Sequence, residues 1–268
     1  MPTLRPAAVA DMFYSGDPRT LAADVADYLA QGAAGASGVV PPKAVIAPHA
    51  GYVYSGPIAG SVYAQLAALR GTIARVVLAG PAHRVYVTGA AIPSVEAFDS
   101  PLGPVPLDAE ALAALRKLPF VEVNDRAHAQ EHCLEVHLPF LQAVLGDFRL
   151  VPIVVGDAST DEAAMLFDTL WGGDETLIVV SSDLSHYLSY EAARRRDRVT
   201  AEAIVAMEPR LIPEEACGAI PINGLLRAAR HRGLVPRMLD LRNSGDTAGP
   251  RDRVVGYGGF AFRPAAEA

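Results

Sequence analysis

Five stretches of the sequence set side chains able to bind a metal or move a proton directly beside apolar runs. They are Ala47-Pro48-His49-Ala50-Gly51-Tyr52, Gly80-Pro81-Ala82-His83, Glu131-His132-Cys133-Leu134-Glu135-Val136-His137, Ser181-Ser182-Asp183-Leu184-Ser185-His186-Tyr187 and Cys217-Gly218-Ala219-Ile220-Pro221. His49, His83 and His186 follow three separate strand-like runs. One histidine in a core is commonly satisfied structurally, but an open α/β sheet brings the loops at its strand ends together. Neutral imidazole is the commonest metal ligand and titrates near neutrality, so metal binding and acid–base chemistry are both open to these three.

The other polar groups divide by spacing. Ser182, Asp183 and His186 suggest a serine hydrolase, yet no Gly-x-Ser-x-Gly elbow is present, and triad members come from well-separated segments. Asp183 is expected to fix a neighbouring imidazole or cap a turn, leaving His186 as the acid–base candidate. Glu131 and Glu135 lie four apart and would share a helix face, turned either to the cleft or to solvent. The order is not His-Glu-x-x-His, which rules out the zinc-protease pattern, and His132 and Cys133 are expected to be structural. Cys217 stands just before a predicted helix, where a helix N-terminus favours thiolate, the form that binds metal or reacts.

The elements that must carry these groups alternate short β-branched runs with longer amphipathic ones, the pattern of βα units around a parallel sheet. Strands are predicted at Lys43–Ala47, Arg75–Ala79, Val87–Ile92, Leu150–Val155 and Thr176–Val180, with two closing strands at Arg237–Arg242 and Val254–Phe262. Helices are predicted at Gly56–Leu69, from an Asp108 N-cap to Leu118, and at Asp161–Leu170, Tyr190–Met207 and Pro221–Arg232. Leu134, Leu138, Leu141 and Leu145 recur at helical spacing, predicting a helix over Glu131–Leu145 that Pro139 kinks or breaks. Gly256, Gly258 and Gly259 mark a bulge or a close backbone approach. The Gly/Ala/Ser stretch Gly32–Gly38 is read as a loop. The fold expected is α/β, a single domain over residues 1–268 with a mostly parallel central sheet flanked by helices.

Bulk composition narrows the partners. Lys+Arg 23 against Asp+Glu 30 gives a formal charge of −7, which disfavours nucleic acid, and Arg194-Arg195-Arg196 reads as a solvated helix face. No apolar run approaches the roughly 20 residues of a membrane span, and the start of the chain lacks signal-peptide order. Two cysteines are too few for a disulfide framework, which fits a reduced, cytoplasmic setting. The scarcity of lysine beside abundant Ala, Arg, Gly and Pro suggests a GC-rich bacterial genome. The partner expected is a small molecule or a peptide.

Taken together, APHAGYVYSG, GPAH, EHCLEVHLPFLQ, SSDLSHY and CGAIPI resemble the Memo family, also called AmmeMemoRadiSam system protein B, over about Pro6 to Phe262. The resemblance implies the fold of class III extradiol dioxygenases, non-haem iron enzymes that cleave catechol rings. It puts His49 and His83 at the two histidine ligand positions, His186 at the acid–base position and Asp183 beside it. The third ligand of the dioxygenases is a glutamate, completing a facial triad with open positions. Cys217 stands there in this chain. A thiolate is softer, so the implied metal is iron(II) first, with copper or zinc as alternatives, and the change argues against catechol cleavage. The family is linked to metal and redox chemistry, and to peptide recognition in its animal members. An oxygen- or redox-linked enzyme, a non-catalytic peptide-binding module and a metal-dependent hydrolase are the three functions this pattern allows.

Overall fold

The computed structural model describes residues 3–33 and 40–265; from residue 34 onward the predicted Gly32–Gly38 loop lies outside them. The first half of the chain runs β1 (Leu4–Arg5), α1 (Pro18–Gly32), β2 (Ala44–Ala47), α2 (Tyr52–Tyr63), β3 (Arg75–Pro81), β4 (Ala90–Ile92), β5 (Ala97–Phe98), β6 (Val105–Pro106), α3 (Ala109–Leu115), β7 (Val121–Val123) and α4 (Asp125–Ala129). The second half runs α5 (Leu138–Leu145), β8 (Arg149–Val155), α6 (Thr160–Leu170), β9 (Thr176–Ser181), β10 (His186–Leu188), α7 (Tyr190–Val205), α8 (Ala219–His231), β11 (Leu234–Asn243) and β12 (Val254–Pro264).

Nine strands form one mixed sheet, ordered β10-β12-β2-β9-β3-β8-β4-β7, with β11 also on β12. Its centre, β2-β9-β3-β8, is parallel. These strands read as near-continuous Val/Ile/Leu/Ala because helices cover both faces, and almost every residue in them is buried. The flanks turn antiparallel, β12 on β2 and β4 on β8. Three two-residue strands, β1, β5 and β6, make a separate small sheet too short to carry a readable period.

The helices form where caps and apolar faces agree. Asp108 accepts the Ala111 N–H and starts α3, which ends at Leu115, three residues before the predicted limit. Ser159 and Glu162 make a reciprocal capping box at α6. The helix predicted from Gly56 begins earlier, at Tyr52, carries Pro57 inside its first turns, and tightens into a 3₁₀ segment over Ala64–Leu69. The predicted Glu131–Leu145 helix is not continuous: Glu131 and His132 are irregular, Cys133 and Leu134 form a turn, Glu135–His137 is one 3₁₀ turn, and α5 begins at Leu138. Pro139 has no N–H for the Glu135 carbonyl and its ring crowds that oxygen, so the α-helix cannot extend back through it. Gly256 is a close approach, since a Cβ there would lie 2.0 Å from Asp197 Oδ2, and the register on β12 is irregular twice, in β11 between Met238 and Asp240 and in β10 between His186 and Leu188.

Register sets the site. Ala47 pairs with Ser181 and Ala79 with Val180, so β2, β9 and β3 end level with one another. The residues that follow therefore share one mouth.

Candidate metal centre

His49 leaves β2 and is 2 % exposed. Its backbone N–H donates to Asp183 Oδ1 at 2.8 Å, and its Nδ1 lies 2.6 Å from Ser181 Oγ. Burial, with His83 and the other imidazoles adding to it, pushes its pKa well below the ordinary histidine value, so the ring is neutral. His83 follows β3, and its Nδ1 meets Glu131 Oε1 at 2.9 Å while its backbone N–H donates to Glu131 Oε2 at 2.7 Å. A carboxylate on one ring nitrogen leaves the other as the ligand face. Burial raises the Glu131 carboxyl, but the bonds from His83 and from the Cys133 N–H outweigh it and hold the pKa down to about 2.

His132 stands closer to the two histidines than its sequence position suggested. It was expected to be structural, yet ligand atoms of His49, His83 and His132 all lie within 4.8 Å of one another. Its ring stacks on His83 at 4.7 Å, and its buried Nδ1 stands 3.3 Å from Glu131 Oε1 without forming a hydrogen bond. Burial holds its pKa down to about 4. The broken helix is the reason: the non-helical stretch at residues 131–134 carries His132 to the strand ends instead of along a helix face. Glu131 and Glu135 do not share a face either, and neither is exposed. Glu131 serves His83, while Glu135 accepts from Arg5 Nη1, the Tyr14 hydroxyl and the Ala8 and Val9 N–H groups, tying the N-terminal segment down. A second group, His83, Glu131 and Cys133, also lies within 4.8 Å, but Cys133 is buried and its thiol donates to the Pro81 carbonyl.

Cys217 lies beside His49, with Sγ 3.3 Å from Nε2. It stands outside the three-histidine group. The Asp183 N–H approaches its sulfur at 3.3 Å. The expected stabilised thiolate is overturned for the metal-free protein: burial first, then the neighbouring Asp183, push the thiol up to about 12. Asp183 itself is 4 % exposed, and burial raises its carboxyl to about 7 despite the bond from His49. His186, on β10, is half-buried with its pKa lowered by burial. Ser182 makes no triad with it, since its hydroxyl donates to the Asp183 carbonyl and accepts the Gly218 N–H.

Above these groups opens a cleft of about 350 Å³ in which His132, Asp183 and His186 meet Phe13, Tyr54 and Tyr257. The sheet topology and this histidine-lined mouth define an α/β protein whose site lies beyond the carboxyl ends of its parallel strands. The family model for Memo-like protein matches residues 5–261, and the chain belongs to that family. A MEMO1 family protein of Aeropyrum pernix is 39% identical over 228 residues, covering 80% of this chain and 81% of that one. One from Archaeoglobus fulgidus is 33% identical over 277 residues, covering 97% and 100%. An uncharacterized Escherichia coli K12 protein, JW3007, shares the fold at a TM-score of 0.52 and 13% identity, covering 81% of this chain and 98% of its own. No helix among the described residues is long and apolar enough to cross a membrane.

Proposed function

We propose that this Memo-like chain holds one divalent metal, iron(II) before copper or zinc, through His49, His83 and Cys217. On this reading it carries out oxygen- or redox-linked chemistry on a small molecule in the cleft. The observation that carries the proposal is the pairing of ring nitrogens. Nδ1 of His49 is engaged by Ser181 and Nδ1 of His83 by Glu131, which leaves both Nε2 atoms free for one ion. Ligands on a tetrahedral ion at ordinary N and S distances stand roughly 3.5 Å apart, close to the 3.3 Å between His49 Nε2 and Cys217 Sγ, while His83 must draw nearer to the sulfur for the three to share one ion.

Iron bound there would supply an open coordination position for oxygen or substrate. The chain's own residues do the rest. Asp183 anchors the His49 backbone, and neutral His186 can accept a proton from a substrate in the cleft. The aromatic rings of Phe13, Tyr54 and Tyr257 give the cleft an apolar lining.

A second reading has its own observation: His132 in place of Cys217 as third ligand, supported by the three-imidazole group and the orphaned Nδ1. Elemental analysis of anaerobically purified protein tests the proposal. One metal per chain is expected in the wild type and none in His49→Ala, with oxygen uptake in the presence of substrate. A metal-free wild type would overturn it in favour of a peptide-binding module, and turnover without oxygen uptake in favour of a hydrolase.

A further inference from the structure

Ser181 closes β9 with its side chain fully buried, and three polar atoms reach its single hydroxyl. The Cys133 carbonyl lies 2.6 Å away, His49 Nδ1 2.6 Å and His137 Nε2 2.8 Å. A serine hydroxyl has one hydrogen to give and two lone pairs to receive. A carbonyl oxygen can only accept, so the hydrogen goes to Cys133, and both imidazole nitrogens must then donate.

We propose that Ser181 is a positioning residue whose committed hydroxyl holds His49 as the Nδ1–H tautomer and keeps its Nε2 lone pair turned toward Cys217. The opposite tautomer would set the Nδ1 lone pair against the serine oxygen at 2.6 Å, or pull the hydroxyl hydrogen from the Cys133 carbonyl. The first leaves a buried polar group unsatisfied, and the second gives up the serine's bond to a carbonyl that the His137 ring also approaches.

His137 steadies the arrangement from the other side. Its Nε2–H donates to Ser181, and its Nδ1 accepts the Tyr63 hydroxyl at 2.7 Å. Burial keeps the Tyr63 phenol protonated and His137 neutral, so every hydrogen in the Tyr63–His137–Ser181–His49 chain has one assignment. Tyr63 is fully buried, so the chain ends in the core and cannot carry protons from solvent. It orients. The consequence for metal rests on His49 being a ligand, as proposed above; the tautomer does not.

The experiment is long-range ¹H–¹⁵N correlation of histidine rings in metal-free, ¹⁵N-labelled protein at one fixed pH. Signals are assigned by their loss in His49→Gln and His137→Gln. His49 should appear as Nδ1–H and His137 as Nε2–H in the wild type. Finding His49 as Nε2–H overturns the proposal. Ser181→Ala should mix the His49 tautomers and weaken zinc binding, followed by calorimetry, by about 10–100-fold. A folded Ser181→Ala protein with His49 still wholly Nδ1–H overturns it too. Should that variant fail to fold, Tyr63→Phe serves instead: it removes the hydroxyl at His137 Nδ1 but leaves Ser181 committed, so His137 should stay Nε2–H and His49 Nδ1–H. A shift of either ring to the other tautomer in Tyr63→Phe would refute the assignment to Ser181. A wild type with the expected tautomers that takes up no zinc would defeat the metal reading while supporting the tautomer assignment.

Discussion

Replacing Glu131 by Gln removes one charge and adds two hydrogens at a carboxylate that three N–H donors share. Oε2 accepts the His83 backbone N–H, and Oε1 accepts from His83 Nδ1 and the Cys133 N–H. With the amide NH₂ at the Oε2 position, donor faces donor at the His83 backbone. With it at the Oε1 position, His83 must surrender its Nδ1 hydrogen and move it to Nε2, the proposed ligand atom. One buried N–H is orphaned either way, at about 1–3 kcal/mol. The pH dependence sets a second scale. Glu131 holds its proton less tightly in the folded protein, at about 2 against an ordinary 4.5, so its contribution is complete above pH 4.5 and is lost as pH falls toward 2. That interval corresponds to about 3 kcal/mol. Urea unfolding of metal-free wild type and Glu131→Gln at pH 7 and pH 4 should therefore show a deficit of about 1–3 kcal/mol that narrows at the lower pH. Zinc affinity should fall about 10–100-fold. A variant within 0.5 kcal/mol of wild type and equal to it in zinc affinity would refute the role assigned to this carboxylate.

Asp197 has the opposite sign: burial raises its carboxyl to about 6 against the bonds from Ser185, so wild-type stability falls as pH rises from about 4 to 6. Asp197→Asn retains an acceptor for the Ser185 N–H and should gain about 1–3 kcal/mol above pH 7 while losing that slope; equal slopes in both proteins would contradict this. Glu135→Ala strands the buried Arg5 guanidinium and should cost about 3–5 kcal/mol in urea unfolding, a loss under 1 kcal/mol counting against the pin. Metal-free Cys217 should react with iodoacetamide before the fully buried Cys133, but slowly at pH 7, rising about tenfold per pH unit through the alkaline range. Peptide mapping reads this, and rapid neutral-pH labelling would show that the thiol is not held protonated.

The parallel centre of the sheet was legible because a strand buried on both faces must be apolar throughout, and Lys43–Ala47, Arg75–Ala79, Leu150–Val155 and Thr176–Val180 differ from the observed strands only at their ends. His49, His83, Asp183, His186 and Cys217 could be singled out for a related reason: a polar group directly after such a run has a strand end to sit on. Helix α1 was missed although its signal is present, Asp17 capping the Thr20 N–H with Pro18 at the first position. The Glu131–Leu145 segment misled because leucine spacing runs unbroken through Pro139, and periodicity records burial rather than backbone hydrogen bonds. His132 was lost with it. Ser181, His137 and Tyr63 have no spacing that links them, for their relation exists only once β9, the 3₁₀ turn and α2 have packed together.

The coordination shell of the bound metal discriminates between the two ligand sets most directly. X-ray absorption fine structure of the zinc-loaded protein should show imidazole nitrogens at about 2.0–2.1 Å and one sulfur at about 2.3 Å, the sulfur vanishing in Cys217→Ser. A shell of nitrogen and oxygen alone in the wild type would contradict ligation by Cys217 and assign the third position to His132.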